Sequence, residues 1–301
     1  MIGYNYQKIT GRIPKESTMG FTTTLIFGLF VHAYKFLNTL PNHDSLYNTY
    51  SNQNAIMSGR WFLCPACALT SFFDLPWVIG VSALILIACS VAMIVWIFQV
   101  KNPFAIIIIS GVIVSHPSVT ETLFFEFTAD GYFLAMFLST IAIGITRIET
   151  VTAKRLAIGC ILLALSCGIY QAYVSFAMAL AICYFVWQIF CCNTSVKKAI
   201  YWCLSQIAMY IVALAIYYIT WKILLHFEQL QPNMNQGINN IGIRTDTILS
   251  ALPASIKNFA YMFVEWNIFE YGMNLYGFLG IAFLVTAGFV MLVSIGNMGL
   301  F

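Results

Sequence analysis

Asp44 is placed where a carboxylate could perform acid–base chemistry. It lies in the segment NHDSLYN, directly after the first long apolar stretch, and His43 precedes it. A carboxylate that can take a proton from a hydroxyl is the minimal requirement for a general base. Asp44 is also a candidate N-cap of a short helix, because Asp is favoured at that position. The two interpretations are compatible.

Two basic residues, Arg60 in the same loop and Lys35 before it, suggest a site for phosphate. Arg60 lies in Gly59-Arg60-Trp61, and its planar guanidinium matches the geometry of a phosphate group. The alternative is that Arg60 reaches toward lipid headgroups while Trp61 anchors the membrane interface. Lys35, near the end of the first apolar stretch, has the same two interpretations.

An acidic and aromatic segment, SVTETLFFEFTADGY, follows a short apolar run. The run from 102 to 115 is too short for a full crossing, and His116-Pro117 interrupts it, since proline disfavours a helical residue before it. The segment that carries Glu121 and Asp130 is then either a loop with a surface helix or the continuation of a broken helix lining an aqueous pocket.

The region 156–192 is also short for the number of membrane crossings that it must contain. Basic pairs flank it, so it must cross the membrane twice, yet its length as helix is slightly under two spans of about 30 Å. The turn 168–171 is therefore expected at or below the membrane surface. Tyr170 and Gln171 would need polar partners there, which a water-filled cavity would supply. The alternative is a helix pair in locally thinned bilayer, with Gln171 at the interface.

Cys64-Pro65-Ala66-Cys67 has the spacing of a thiol oxidoreductase motif. Membrane enzymes that form disulfides need a second cysteine pair on the same side, and the other cysteines fall within predicted crossings or at the opposite ends of them. A local disulfide or two buried thiols is therefore favoured over a redox site. The nine cysteines and four histidines show no zinc-ligand spacing.

The composition determines what must position these residues. Apolar residues make up 60% of the 301 residues and charged residues 8%, which excludes an ordinary soluble domain. The small net charge of +3 and the absence of a basic run exclude nucleic-acid binding. We predict an all-α polytopic membrane protein, a single domain over 1–301, with eight crossings near 19–40, 76–99, 102–120, 130–146, 156–170, 172–192, 199–225 and 276–298.

The charges predict an orientation in a cell inner (plasma) membrane. Nine basic residues and two acids fall on one side of the eight crossings, while nine acids fall on the other. By the positive-inside rule the basic side, with the N-terminus, is cytoplasmic. The predicted outer loops are 41–75, 116–130 and 226–275, the last ending in a candidate interfacial helix. Because the chain stops inside its last apolar run, we expect it to be C-terminally incomplete.

Five segments together resemble a known family. NHDSLYN, GRWF, FFDLPW, FTADGY and GIYQAY, in this order and spacing, are similar to the bacterial serotype-converting glucosyltransferases, the phage-type O-antigen glucosyl transferase family. These belong to the GT-C class of membrane glycosyltransferases. The resemblance is specific from about 44 to 173 and looser to about 275.

The resemblance implies a transferase that uses polyprenyl-phosphate-glucose on the extracytoplasmic face. The acceptor would be an envelope polysaccharide such as O antigen, and a donor-forming glycosyltransferase and a flippase are implied as partners. By motif position, Asp44 carries over as the essential acid of the first outer loop. Asp130, with Tyr132 nearby, carries over from FTADGY, and Arg60 from GRW.

The expected chemistry is a single displacement with inversion at the sugar C1. Asp44 would take the acceptor proton, Asp130 would position the acceptor or act as an acid, and Arg60, with Lys35, would stabilise the departing phosphate. The remaining residues predicted to bind substrate are Trp61, Glu121, Tyr132, Tyr170 and Gln171.

No cofactor is required by this chemistry, and no residue spacing demands a divalent metal ion. The main alternative function is a transporter or flippase for lipid-linked sugars, which predicts polar residues along the whole path through the membrane. Further alternatives are an inactive assembly partner and the redox role.

Overall fold

The computed structural model describes residues 13–48, 55–68, 75–192 and 194–233, together with residues 70, 73, 253 and 257. The chain divides into two compact units, 1–236 and 237–301, and the helices described here all belong to the first. No strand occurs among the described residues, which confirms the all-α prediction for this part. Its ten helices are α1 (Lys15–Leu37), α2 (His43–Asn48), α3 (Leu63–Ala66), α4 (Pro76–Ile97), α5 (Pro103–Val114), α6 (Pro117–Leu123), α7 (Ala129–Ile145), α8 (Ala153–Ile169), α9 (Tyr173–Phe190) and α10 (Val196–Phe227).

Four helices are long and apolar enough to cross a membrane, namely α1, α4, α9 and α10, and the pair α5 and α6 makes a fifth if it is one span. The chain is therefore a multi-pass membrane protein. The predicted count of eight is not reached within the described residues. Helices α7 and α8 have only 17 residues each, against the roughly 20 that a span needs. The predicted crossing at 276–298 and nearly all of the 226–275 loop lie outside the described residues.

The predicted break at His116-Pro117 is confirmed. Helix α5 ends at Val114, α6 begins at Pro117, and the two axes differ by 46°. Proline fits the first position of α6, where no backbone donor is needed. The His116 ring caps the new helix, since its Nδ1 accepts from the Ser118 backbone N–H at 3.2 Å. The acidic segment therefore begins as a second helix after a break, as in a broken span or a re-entrant loop.

The long helices pack on one another mainly in pairs. Helix α1 packs on α4 and α5, α4 packs on α7, and α7 and α10 both pack on α8. Side chains buried between these helices form two large apolar clusters. A buried histidine also joins two helices, because the His32 Nε2 lies 2.8 Å from the Val114 carbonyl oxygen at the end of α5. These contacts fix the positions of the helix ends relative to one another.

Successive long helices run in alternating directions, so the bundle has two ends. We call the end that holds 38–48, 55–68, 115–128 and 170–172 the acidic end, and the end that holds 98–102, 146–152, 191–192 and 194–195 the basic end. The described charges are separated accordingly. The acidic end carries Asp44, Glu121, Glu126, Asp130 and Glu228, with Lys35, Arg60 and Lys222 as its cations. The basic end carries Lys15, Lys101, Arg147, Lys154, Arg155, Lys197 and Lys198, with Glu16 and Glu149.

Candidate functional site

The segment Gly59-Arg60-Trp61 sits in a tight turn at the acidic end. The Arg60 backbone N–H donates to the Ala55 carbonyl at 2.7 Å, and Gly59 has a φ of +77°. A Cβ atom on Gly59 would lie 2.7 Å from the Gln171 Nε2 and closer still to the Tyr217 hydroxyl. Both the positive φ and the missing side chain are therefore required of this residue.

The turn is attached to the rest of the bundle on two sides. On one side, the Trp221 indole N–H of α10 donates to the Ile56 carbonyl at 2.6 Å. On the other, the Phe62 backbone N–H donates to the Gly168 carbonyl at 2.7 Å. The indole ring of Trp61 lies so close to Gly168 that a Cβ there would be 2.7 Å from it. The turn that carries Arg60 is thus clamped between α8 and α10.

Gln171 has the polar partners that its position was predicted to need. Its Nε2 donates to the Ser58 carbonyl at 3.1 Å and to the Tyr217 hydroxyl at 2.9 Å. The partners are protein groups. Tyr217 was not singled out from the sequence, because it is one of several aromatic residues spaced along an apolar helix.

Arg60 is surrounded by two tyrosines that come from other segments. Its Nη1 donates to the Tyr132 hydroxyl at 3.3 Å, and its guanidinium lies 5.0 Å from the centre of the Tyr170 ring. The two tyrosine rings are 4.9 Å apart. The Arg60 Nε and the Trp61 indole N–H are buried without a hydrogen-bond partner in the described residues. We call Arg60, Trp61, Tyr132, Tyr170 and Gln171 the arginine–tyrosine cluster.

Asp130 is buried beside this cluster, in the first turn of α7 and two residues before Tyr132. It is 4% exposed. One carboxylate oxygen accepts from the Thr70 hydroxyl at 3.1 Å, and the other accepts from the Gly131 backbone N–H at 2.9 Å. A carboxylate is favoured at a helix N-terminus by the helix dipole. Gly131 in turn allows Cys67 to approach, since a Cβ would lie 2.6 Å from that sulfur.

Asp44 lies on a different element and is exposed, with 62% of its side chain accessible. The interpretation of Asp44 as an N-cap is wrong, because Asn42 takes that role by accepting from the Ser45 backbone N–H at 2.8 Å. Helix α2 docks on the end of α6, where the Ser45 hydroxyl donates to the Phe124 carbonyl at 3.1 Å. The His43 Nδ1 lies 3.9 Å from the Asp44 Oδ1.

Lys35 lies outside the arginine–tyrosine cluster. Its ammonium forms a buried ion pair with Glu126, and the same carboxylate oxygen accepts from the Leu40 backbone N–H at 2.6 Å. The Lys35 ammonium is also 5.3 Å from the centre of the Phe124 ring. This pair attaches the end of α1 to the segment between α6 and α7. The sequence did not indicate it, because the partners are 91 residues apart.

A protein-family match covers these segments. A family model described as Glucosyl transferase GtrII matches residues 33–296, which is most of the chain and includes every residue of the arginine–tyrosine cluster. The chain belongs to the GtrII glucosyl transferase family. Membership confirms the resemblance and implies glycosyltransferase activity. Comparison with curated proteins and with solved structures found no match.

In this GtrII family member the two cysteines of the C-x-x-C motif are free thiols. Burial raises the pKa of both thiols, and the neighbouring Asp130 carboxylate raises the pKa of Cys67 further. A reactive cysteine needs a lowered pKa, because the thiolate is the nucleophile. The environment therefore disfavours a redox role and agrees with buried thiols.

Glu121 is exposed on α6, the short helix on which α2 docks. It shares this surface with the element that carries Asp44 rather than with the arginine–tyrosine cluster. Among the residues that the structure describes, no group of three His, Cys, Asp or Glu side chains is placed to hold a metal ion.

Proposed function

We propose that this GtrII family member transfers glucose from a polyprenyl-phosphate donor to an envelope polysaccharide such as O antigen. The acidic end would face the extracytoplasmic side of the inner membrane, with the N-terminus in the cytoplasm. The observation that carries the proposal is the meeting of GRW, FTADGY and GIYQAY around one arginine. Helix packing alone does not require segments so distant in the chain to meet. A shared substrate site does require it.

In this proposal, Arg60 and Trp61 receive the donor phosphate. The Arg60 Nε and the Trp61 indole N–H are buried donors that find no acceptor within the part of the chain that the structure describes, and leaving such groups unpaired is costly. A phosphate oxygen would satisfy them and would be stabilised further as its charge grows during departure. Lys35 already pairs with Glu126, so its role would be to position the loop rather than to bind the phosphate.

The reaction is a single displacement. The acceptor hydroxyl oxygen forms a bond to the glucose C1 while the bond from C1 to the phosphate oxygen breaks, which inverts the configuration at C1. Asp44 takes the hydroxyl proton, and polyprenyl phosphate leaves with the electron pair. A general base of this kind contributes about 10²–10⁴ in rate.

The remaining residues would form the sugar site. Tyr132 and Tyr170 offer aromatic faces beside Arg60, and Gln171 offers an amide to a sugar hydroxyl. Asp130 is buried and held by two hydrogen bonds, which suits positioning of the acceptor more than proton transfer. Glu121, on the surface near α2, would contact the acceptor.

Transport of lipid-linked sugars is disfavoured by the middle of the bundle. A transport path needs polar or ionisable groups from one end to the other. Two buried hydroxyls within the bundle are instead bonded internally: Ser166 donates to the Ala135 carbonyl at 2.8 Å, and Thr140 donates to the Met136 carbonyl at 2.8 Å. These two hydroxyls serve helix structure, whereas the buried Tyr210 hydroxyl of α10 has no hydrogen-bond partner among the described residues.

The test uses cells that synthesise polyprenyl-phosphoglucose. The wild-type chain, Asp44→Asn and Glu149→Gln are expressed, their membrane insertion is verified, and envelope polysaccharide is analysed by mass spectrometry. We expect one added hexose per repeat with wild type and with Glu149→Gln, an exposed acid at the basic end, and none with Asp44→Asn. Unmodified polysaccharide with inserted wild-type chain contradicts the transfer, and accumulation of translocated donor would indicate transport.

A further inference from the structure

A cavity of about 310 Å³ lies at the basic end, away from the proposed sugar site. It is formed between the segment that leads into α8 and the first turns of α10. Its apolar wall includes Val151, Leu156 and Trp202, while Thr152 and Lys198 contribute polar groups. A volume near 300 Å³ is at the lower end of small-molecule sites. The lining therefore combines an apolar surface with a cation.

Of four cations on the two helices that form this cavity, Lys198 lines it, while Lys154, Arg155 and Lys197 directly follow or precede lining residues in the chain. The four cations occupy the first turns of α8 and α10, where the helix dipole disfavours positive charge. None of the four forms an ion pair with a carboxylate in the part of the chain that the structure describes. The local charge is therefore unbalanced and attracts an anion.

Glu149, which follows the cavity-lining Ile148, is already occupied by other partners. The two oxygens of Glu149 accept from the Tyr184 hydroxyl at 3.0 Å and from the Gln188 amide at 2.8 Å. Arg155 donates to the Thr150 carbonyl at 3.0 Å, which leaves its charge unneutralised. An anion that neutralises the four cations must come from outside these residues.

We infer that this cavity binds an anionic phospholipid of the surrounding bilayer. The phosphate lies at Lys198 and the cations beside it, and an acyl chain follows the apolar wall formed by Val151, Leu156 and Trp202. The occupant is a lipid because the cavity joins a cationic rim to an apolar wall at the ends of helices in a multi-pass membrane protein. Basic pockets between membrane helices bind anionic headgroups in this way.

The test uses the purified full chain in detergent and native mass spectrometry. Phosphatidylglycerol and phosphatidylcholine with identical acyl chains are titrated separately. We expect one tightly bound phosphatidylglycerol and weaker binding of phosphatidylcholine. Lys198→Gln should weaken phosphatidylglycerol about fivefold, because one cation near a phosphate contributes about 1 kcal/mol.

Lys101→Gln is the matched control, since Lys101 is an exposed cation of the same end that does not line the cavity. It should leave the affinity unchanged. Val151→Trp keeps the charge, fills the cavity and should also release the lipid. Equal binding of phosphatidylcholine, equal loss with Lys101→Gln, or full retention with Val151→Trp would overturn the inference. Complete displacement by inorganic phosphate would identify a soluble anion instead.

Discussion

Two arginines at opposite ends of the bundle have nearly the same local contacts. The Arg60 guanidinium lies 5.0 Å from the Tyr170 ring centre, and that of Arg147 lies 3.7 Å from the Trp96 ring centre. Each makes one hydrogen bond through Nη1, to the Tyr132 hydroxyl and to the Trp96 carbonyl respectively. Each also has a buried Nε that lacks a partner among the residues that the structure describes. Stacking on an aromatic ring therefore does not distinguish a binding arginine from a structural one.

The surroundings make the difference. Around Arg147, polar groups satisfy one another: the Trp202 indole donates to the Thr146 carbonyl at 2.7 Å, and the Tyr184 hydroxyl accepts from the Ile148 N–H at 3.2 Å. Around Arg60, a second donor without a partner among the described residues lies on the next residue, Trp61, and the turn depends on the positive φ of Gly59. Two neighbouring buried donors without acceptors are rare in a structural role and indicate a binding site.

The largest effect should come from replacing Arg60, with Arg147 replaced for comparison. Arg60→Gln should lower the transfer rate by about 10²–10³, the usual cost of removing a donor to a developing anion. Arg147→Gln should leave the rate within about threefold of wild type, because its contacts are structural. Hexose addition to the polysaccharide at matched membrane levels measures both. Equal losses in both variants would show that the two ends do not differ in function.

The next effect concerns the buried ion pair. Lys35→Met leaves the Glu126 carboxylate buried and unpaired, which should lower the free energy of unfolding by about 3–5 kcal/mol. Replacing both residues, with Lys35→Met and Glu126→Leu, should restore most of this loss. Lys101→Met, at an exposed cation of the basic end, should change it by less than about 1 kcal/mol. Chemical denaturation in mild detergent gives these differences, and a double variant no better than Lys35→Met would contradict the pairing.

A third comparison uses two glycines. Gly59→Ala should destabilise by about 1–3 kcal/mol, because the positive φ strains any side chain and the Cβ meets Tyr217 and Gln171. Gly144→Ala, at the basic end, places its Cβ 2.7 Å from the flexible end of Met93, which can move. Its stability should change little, since alanine also favours the helix. Thermal unfolding compares the two, and similar melting temperatures would argue against strain at Gly59.

The smallest effect on hexose transfer should come from the polar network of the basic end. Tyr184→Phe removes the hydroxyl that joins Ile148, Glu149 and Gln188, at a cost of about 1 kcal/mol per hydrogen bond. Hexose transfer should continue at the wild-type rate. Measuring stability and transfer on the same preparation separates these roles, and lost transfer with intact stability would place function at this end as well.

The sequence predicted those features that depend on local pattern. Apolar length predicted the helices, and proline geometry predicted the break before α6. The need of Gln171 for polar partners followed from its place in an apolar run, but not the identity of Tyr217, which lies 46 residues away. The Lys35–Glu126 pair was missed for the same reason. The number of crossings could not be predicted, because helices of 17 residues fall near the limit of what spans a bilayer.

The attachment of the Arg60 turn to α10 has a consequence for how the protein is made. The Ile56 carbonyl cannot form its hydrogen bond until the Trp221 indole, 165 residues later in the chain, has been synthesised. At about 5–20 residues per second, this interval is on the order of ten seconds or more. During that time α4 and α9, both long enough to span a membrane, are synthesised while the Arg60 turn lacks this support. The arginine–tyrosine cluster is therefore completed late in synthesis, and a nascent chain arrested before α10 would hold the Arg60 turn on one side only.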